Sequence, residues 1–184
     1  MPLPHYTQSR TSNQKFEPIY PNLFEVTIFS PLGDDTGLIL EHVKTIGGLN
    51  ALNPSVDGVG QKYKFSDRSF AGMPSQTFAD ITLGFTLNLN EANENFIYNT
   101  FRNWYKLIYD PLTGEMGLKK DYVGSMIIVQ YNRAGDIFRK ITLKDVFPTG
   151  SPEFLDELNY ETQDPAELSM TYRCDHWVEE NVGG

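Results

Sequence analysis

The stretch Thr77-Phe-Ala-Asp-Ile-Thr-Leu-Gly-Phe-Thr-Leu-Asn-Leu-Asn90 alternates apolar and polar residues; the segment that follows it, Glu91 to Asp110, does not. Ala79, Ile81, Leu83, Phe85, Leu87 and Leu89 fall on one face, with Asp80, Thr82, Gly84, Thr86 and Asn88 on the other. A period of two sustained over this length predicts a β-strand with one buried face. Past Asn90 the spacing becomes helical, and Ile97, Phe101, Trp104 and Ile108 form one stripe. A helix over about residues 91–109 follows. Asn90 is a good N-cap, and Glu91 and Glu94 put negative charge in the first turn, where the helix dipole favours it. Asp110-Pro111 ends it, because proline disfavours helical backbone in the residue before it. Such a helix is marginal alone. Burying the four stripe residues contributes ~1.5–3 kcal/mol each, enough to dock it on a sheet. The stretch therefore predicts a β-rich scaffold flanked by one helix, with no catalytic group on either element.

Working outward, Phe24, Val26 and Ile28 define a strand over Leu23 to Phe29, and Pro31 to Gly37 a turn. Leu38 to Ile46 reads as a second strand, making a hairpin with the first. Residues 47–76 carry glycine and proline at many positions and no strong core pattern, apart from the short alternation Lys62-Tyr-Lys-Phe65. A segment this long without a core pattern is unusual in a compact domain. We read it as an extended hairpin or arm packing on another subunit, with Lys62, Tyr63, Phe65 and Phe70 as its contact residues. Beyond the helix, Ser125 to Tyr131 and Ile137 to Val146 form a hairpin about the turn Ala134-Gly-Asp136, and Phe147-Pro-Thr-Gly150 closes the second strand. Residues 151–164 are acidic, and Leu158, Tyr160 and Thr162 suggest a short strand. The last strand opens at Pro165, with Ala166, Leu168, Met170, Tyr172 and Cys174 on its inward face and His176 extending it. Residues 1–19 form an N-terminal arm, either a disordered tail or a segment docking on a neighbour, ahead of a single domain over 20–184.

Composition narrows the function. The chain has 184 residues, 40% hydrophobic and 13% aromatic, enough for one domain with a real core. Its net charge of -9 repels phosphate backbones, which argues against gripping nucleic acid but not against DNA passing by. The single cysteine, Cys174, cannot form an intramolecular disulfide, and the basic start and apolar core of a signal peptide are missing. The apolar run Met126 to Val129 is far too short to span a bilayer. Folding in a cytoplasm, without membrane association, is the expectation.

No catalytic, metal or cofactor site emerges. His5, His42 and His176 lack the spacing of a zinc site, and Glu41-His42 reads as a surface pair. Cys174-Asp175-His176 resembles a nucleophile cluster, but strand neighbours point to opposite faces, so Cys174 reads as a buried thiol. Asp34-Asp35 lacks the ligand series of a calcium loop, and Gly58-Val-Gly60 the third glycine of a dinucleotide site. The polar face of the long strand is small and uncharged: Thr82, Thr86 and Asn88 line either a solvent face or a smooth wall past which something slides.

Several local motifs converge on one resemblance. They are Tyr20-Pro-Asn-Leu-Phe-Glu-Val26, Thr77-Phe-Ala-Asp80, Asn103-Trp104, Ile128-Val-Gln-Tyr131, Lys140-Ile-Thr-Leu-Lys144, Phe147-Pro-Thr149 and Asp175-His-Trp-Val-Glu179. In this order and spacing, across most of residues 20–180, the chain resembles the tail tube proteins of T4-like contractile-tailed bacteriophages. The arm before Tyr20, the turn at 31–37 and the loop at 110–121 are longer than that pattern; the resemblance implies that they face a sheath or pack between rings.

The resemblance implies a mainly β, antiparallel β-sandwich or barrel-like subunit with one flanking helix. Six copies close into a ring, strands of all six join in one inner barrel, and rings stack into a tube inside a contractile sheath. Implied partners are a second copy, the tail sheath, a baseplate or tube initiator, and the tape measure protein and DNA, which pass through the lumen without specific binding. The implied place is the virion, after assembly in the host cytoplasm, with no cofactor and no enzymatic activity. The alternatives are a tube–baseplate junction protein or the tube of a phage-derived injection system. Thr82, Thr86 and Asn88 would line the channel, and an acidic channel would repel DNA and lower friction. A barrel closed across subunits would leave no exposed edges.

Overall fold

The computed structural model describes residues 19–33, 43–53, 56–73, 79–87, 96–154 and 165–181. Nine strands and one long helix stand in the described part of the chain: β1 (Phe24–Phe29), β2 (Val43–Gly47), β3 (Gly58–Lys62), β4 (Asp67–Ala71), β5 (Ala79–Thr86), α1 (Phe96–Ile108), β6 (Gly124–Tyr131), β7 (Ile137–Phe154), β8 (Glu167–Cys174) and β9 (His176–Asn181). A 3-10 turn (Leu49–Leu52) and a helical turn (Lys119–Tyr122) complete it.

The backbone of the fold is a long antiparallel ribbon. The first part of β7 pairs with β9, from Arg139 opposite Asn181 to Lys144 opposite His176. Its second part pairs with β8, from Phe147 opposite Arg173 to Phe154 opposite Leu168. Between them both chains turn a corner. Asp145 takes a left-handed backbone, φ 53°, and Asp175 is a bend. Lys119 makes an ion pair with Asp175 at this corner, and Tyr122 stacks edge-on against Phe147. On one side of the corner β6 and β1 add to β7; on the other β5 and β2 add to β8. The result is two antiparallel layers, β1-β6-β7-β9 and β7-β8-β5-β2, sharing one strand. Strands that switch sheets at a bend are how such corners are built.

Alternation fills the space between the layers. Val26, Ile28, Met126, Ile128, Ile141 and Leu143 from one layer, and Ile81, Leu83, Phe85, Leu168, Met170, Tyr172 and Cys174 from the other, are buried. Helix α1 adds Ile97, Phe101 and Trp104, all buried. The Phe101 ring lies 5.1 Å from Phe85 and 5.9 Å from Tyr172, with Trp104 also 5.9 Å from Tyr172. Trp104 Nε1 donates a 2.6 Å hydrogen bond to the Tyr122 carbonyl, so the indole is anchored at both its apolar and its polar end. Gly124 makes room for it: a Cβ there would collide with the Phe29 carbonyl and press on the indole.

Four expectations from the sequence need correction. The first two strands do not form a hairpin: β1 pairs with β6 and β2 with β5. Alternation marks a strand's buried face but not its partner, and the apolar face of β1 continues that of β6. Phe147-Pro-Thr-Gly150 does not close β7, which runs on to Phe154. Pro148 is tolerated because, among the described residues, this part of β7 pairs only with β8, and an edge strand can lack an N–H. The last strand breaks at Asp175, so His176 does not extend its inward face; it is exposed and opens β9. Ile108, expected buried with the other stripe residues, is half-buried, because the helix runs out there and its carbonyl accepts from Gly117 N–H. The expected cap at Asn90, the short strand at 158–162 and the arm before residue 19 lie outside the described residues.

Candidate assembly surfaces

The outward face of the β7-β8-β5-β2 layer is built by register. Direct partners across an antiparallel pair share a face, so Asp80, Thr82, Gly84 and Thr86 of β5 stand beside Arg173, Thr171, Ser169 and Glu167 of β8. Thr45 of β2 and Thr149 of β7 extend the same face at either side. The middle is a lawn of short hydroxyls; Thr82 Oγ1 and Thr171 Oγ1 lie 3.4 Å apart. Thr82 and Thr86 are thus where the strand pattern placed them, half-buried on one face; Asn88 is outside the described residues.

Two ion pairs lie on this face among the described side chains. Arg173 grips Asp80 with two hydrogen bonds, of 2.7 and 2.9 Å, and Lys44 pairs with Glu167. The hydrogen bonds from Arg173 hold the Asp80 carboxyl below the usual carboxylate range. Over β5 and β8 the described charges of this face therefore balance. Alternation along β5 carries little information about charge, because β8 and β2 supply the cations.

The same layer ends, among the described residues, in two strands paired on one side only: β2 at one edge and the second half of β7 at the other. Exposed β-edges present unpaired backbone donors and acceptors and are templates for further pairing.

The β3–β4 hairpin is a second surface. Every residue of both strands is exposed. Tyr63 N–H closes the turn on the Ser66 carbonyl at 2.8 Å, so the strand expected over Lys62 to Phe65 is instead the end of β3 and its turn. Val59 opposes Phe70 and Gln61 opposes Arg68 on one face, where the Arg68 guanidinium lies over the Tyr63 ring at 5.7 Å. Phe65, at the tip, is 91% exposed, with Lys64 over its ring. Lys62, Tyr63, Phe65 and Phe70, the four residues picked from sequence, all belong to this projecting unit. A two-stranded hairpin is marginal on its own, and every residue of this one is exposed.

The loop at 110–121, longer than the family pattern, carries a third exposed apolar segment, Tyr109 to Leu118. Asp110 N–H to the Glu115 carbonyl, Gly114 N–H to the Asp110 carbonyl and a bridge between Tyr109 and Met116 lock it, while Leu112 is 91% exposed. Pro111, Gly114 and Gly117 signalled only a break.

Among the described residues no three His, Cys, Asp or Glu side chains gather as for a metal, and no helix is long and apolar enough to cross a membrane. Cys174 is buried, which pushes its thiol up, away from the thiolate that nucleophilic chemistry needs.

Comparison with solved structures identifies the fold. The chain is 16% identical to the tube-terminating cap of the anti-feeding prophage, with a TM-score of 0.61 over 97% of this chain and 100% of that one. A chain of the PVC extracellular contractile injection system, from its sheath–tube complex in the extended state, is 17% identical with a TM-score of 0.58, covering 98% and 100%. The sheath/tube terminator of the same system gives 17% and 0.59, over 91% and 99%. No family profile matches the chain, and no curated protein does. The fold is that of contractile tail-tube components: mainly antiparallel β, with one flanking helix.

Proposed function

We propose that the chain is a structural tube protein of a contractile tail or injection device. The observation that carries this is the β7-β8-β5-β2 layer: a hydroxyl-rich outer face with two ion pairs, bounded, among the described residues, by two one-sided edges. Joining the β2 edge of one copy to the β7 edge of the next extends the sheet without a break. A heterologous contact of this kind closes into a ring when its rotation divides the circle, and six copies are the number the resemblance implies. The concave wall so formed presents Thr82 and Thr86, side chains that neither charge nor grip a passing polymer. The β3–β4 hairpin reaches a neighbouring subunit through Tyr63, Phe65 and Phe70. The tube stacks inside a sheath, starts from a baseplate or initiator, and passes the tape measure protein and DNA, or an injected cargo, without specific binding.

The likeness to cap, terminator and sheath–tube chains of two injection systems supports a particle other than a virion as an equal setting. Negative-stain electron microscopy over a concentration series tests the reading. We expect rings or hollow tubes of uniform bore; protein that stays monomeric even with a baseplate-like initiator would refute it.

A further inference from the structure

No backbone ladder runs unbroken through the corner. Between β7 and its partners, pairing reaches Lys144 opposite His176 on one side and resumes at Phe147 opposite Arg173 on the other. Toward β6, Ser125 faces Lys144 and Gly124 faces Val146, so Asp145 is skipped: it is a bulge with a left-handed backbone, φ 53°. A bulge bends its strand and raises the local twist. With the ladders interrupted, the angle of the bend is left to side chains.

Those side chains come from the helical turn Lys119–Tyr122. Its first residue, Lys119, pairs with Asp175 at the bend of one strand. Its last, Tyr122, stands edge-on to Phe147, with 5.6 Å between ring centres, just past Asp145 on the other strand. The Tyr122 carbonyl accepts the Trp104 indole N–H, which bolts the turn to the core. The hydrogen bond to Asp175 and, more weakly, the charge of Asp145 raise the ionisation of Lys119 above the usual lysine value, so it stays a cation. One short turn thus grips both strands of the ribbon where they bend. The Lys119 and Asp175 side chains are 49% and 33% exposed, and a pair so open to water adds little to stability. What it supplies is an angle.

That angle bears on ring closure. On the tube reading, the edge that receives the next copy is the second half of β7, which starts pairing with β8 at Phe147, directly past the bend. Rings of six and of seven copies need rotations of about 60° and about 51° per copy, a difference of only about 9°. The twist between neighbouring strands ranges over roughly 10–35°. Strand pairing alone is therefore too loose to select a ring size, and selection needs a rigid angle inside the subunit. We propose that Lys119 is a positioning residue that sets how many copies close a ring, by pinning Asp175 and so fixing the direction of the β7 edge. This rests on the tube reading above and adds to it what selects the ring size.

Lys119→Met tests it, removing the charge and keeping the length of the side chain. The readouts are the thermal midpoint and the symmetry of end-on rings in electron-microscopic class averages. We expect an unchanged midpoint and the loss of the single wild-type symmetry, replaced by a spread of ring sizes and bores. Asp175→Asn is expected to behave alike, and keeps the test intact should the first variant fold poorly. Lys119→Arg, and the exchanged pair Lys119→Asp with Asp175→Lys, are expected to restore one symmetry, which a merely structural loss would not do. Wild-type symmetry in both single variants would overturn the proposal and leave the tube reading in place, as would an exchanged pair as heterogeneous as the single variants. Folded variants that form no rings would also overturn it, because a lost contact and not a changed angle would explain them. A wild-type chain that never self-associates, even with a baseplate-like initiator, would remove both.

Discussion

Tyr172 sits at the centre of the core. It stands on β8, packed against Phe101 and Trp104, and its Oη finds no hydrogen-bond partner among the described residues. Burial pushes its ionisation well above the ordinary tyrosine value, so it stays neutral and still pays for lost hydration. Leaving a buried polar group unsatisfied costs about 1–3 kcal/mol. Tyr172→Phe keeps the ring contacts and removes the hydroxyl, so we expect a gain of about 1 kcal/mol. A urea midpoint shifted upward with unchanged slope would show it. The sequence placed this residue on the inward face by alternation alone, and Ile97, Phe101 and Trp104 on the docking stripe by helical spacing. It could not place the hydroxyl, because whether a buried oxygen finds a partner depends on side chains from α1 and β8 meeting in space.

Element by element, what was legible depended on locality. Periods of two and of 3.6 are properties of neighbouring residues, and β1, β5, α1, β6 and β8 could be read from them. Partners are not local, which is why β1 and β2 were paired wrongly. The corner was hidden for the same reason. Neither Asp145 nor Asp175 looks like a breaker, and Pro148 looks like the end of a strand that in fact continues. Asp145 bears the strain, holding φ 53° without being glycine. Aspartate tolerates this backbone better than a branched residue, which pays about 1–2 kcal/mol. Asp145→Val should therefore lose at least that much stability, whereas Asp145→Gly should be close to neutral; paired chemical denaturation curves would separate the two. The hairpin was legible as an anomaly, a long segment with no core face, and its two-sided character appears only once β3 and β4 are in register.

For the whole molecule, the tube-like reading rested on motif order, and the fold likeness agrees with it at identities of 16–17%. The charge balance of the β5–β8 face was not legible, since pairing across strands decides it. Each layer carries an Arg–carboxylate pair on its surface: Arg173–Asp80 in one and Arg139–Glu179 in the other. Hydrogen bonds from the arginines hold both carboxyls below their ordinary range. The folded state thus binds fewer protons than the unfolded chain as pH falls through that range, and stability falls with it. The contribution is complete above the ordinary carboxylate value and disappears as pH drops through the depressed ones. Both pairs are partly solvent-exposed, so about 0.5 kcal/mol each is expected. Asp80→Asn should lower the midpoint slightly at pH 7 and flatten its decline toward pH 3, readable in urea titrations at the two pH values.

The ribbon of β7 with β8 and β9 has a mechanical consequence. Two layers held only by side-chain packing can slide or be peeled apart under load. Here one covalent strand belongs to both layers, and a second runs beside it around the same bend. A force applied to either wall is therefore carried into the other along peptide bonds, in tension. The subunit behaves less like two plates glued together than like a single folded strap, the kind of part that survives a sudden axial shock.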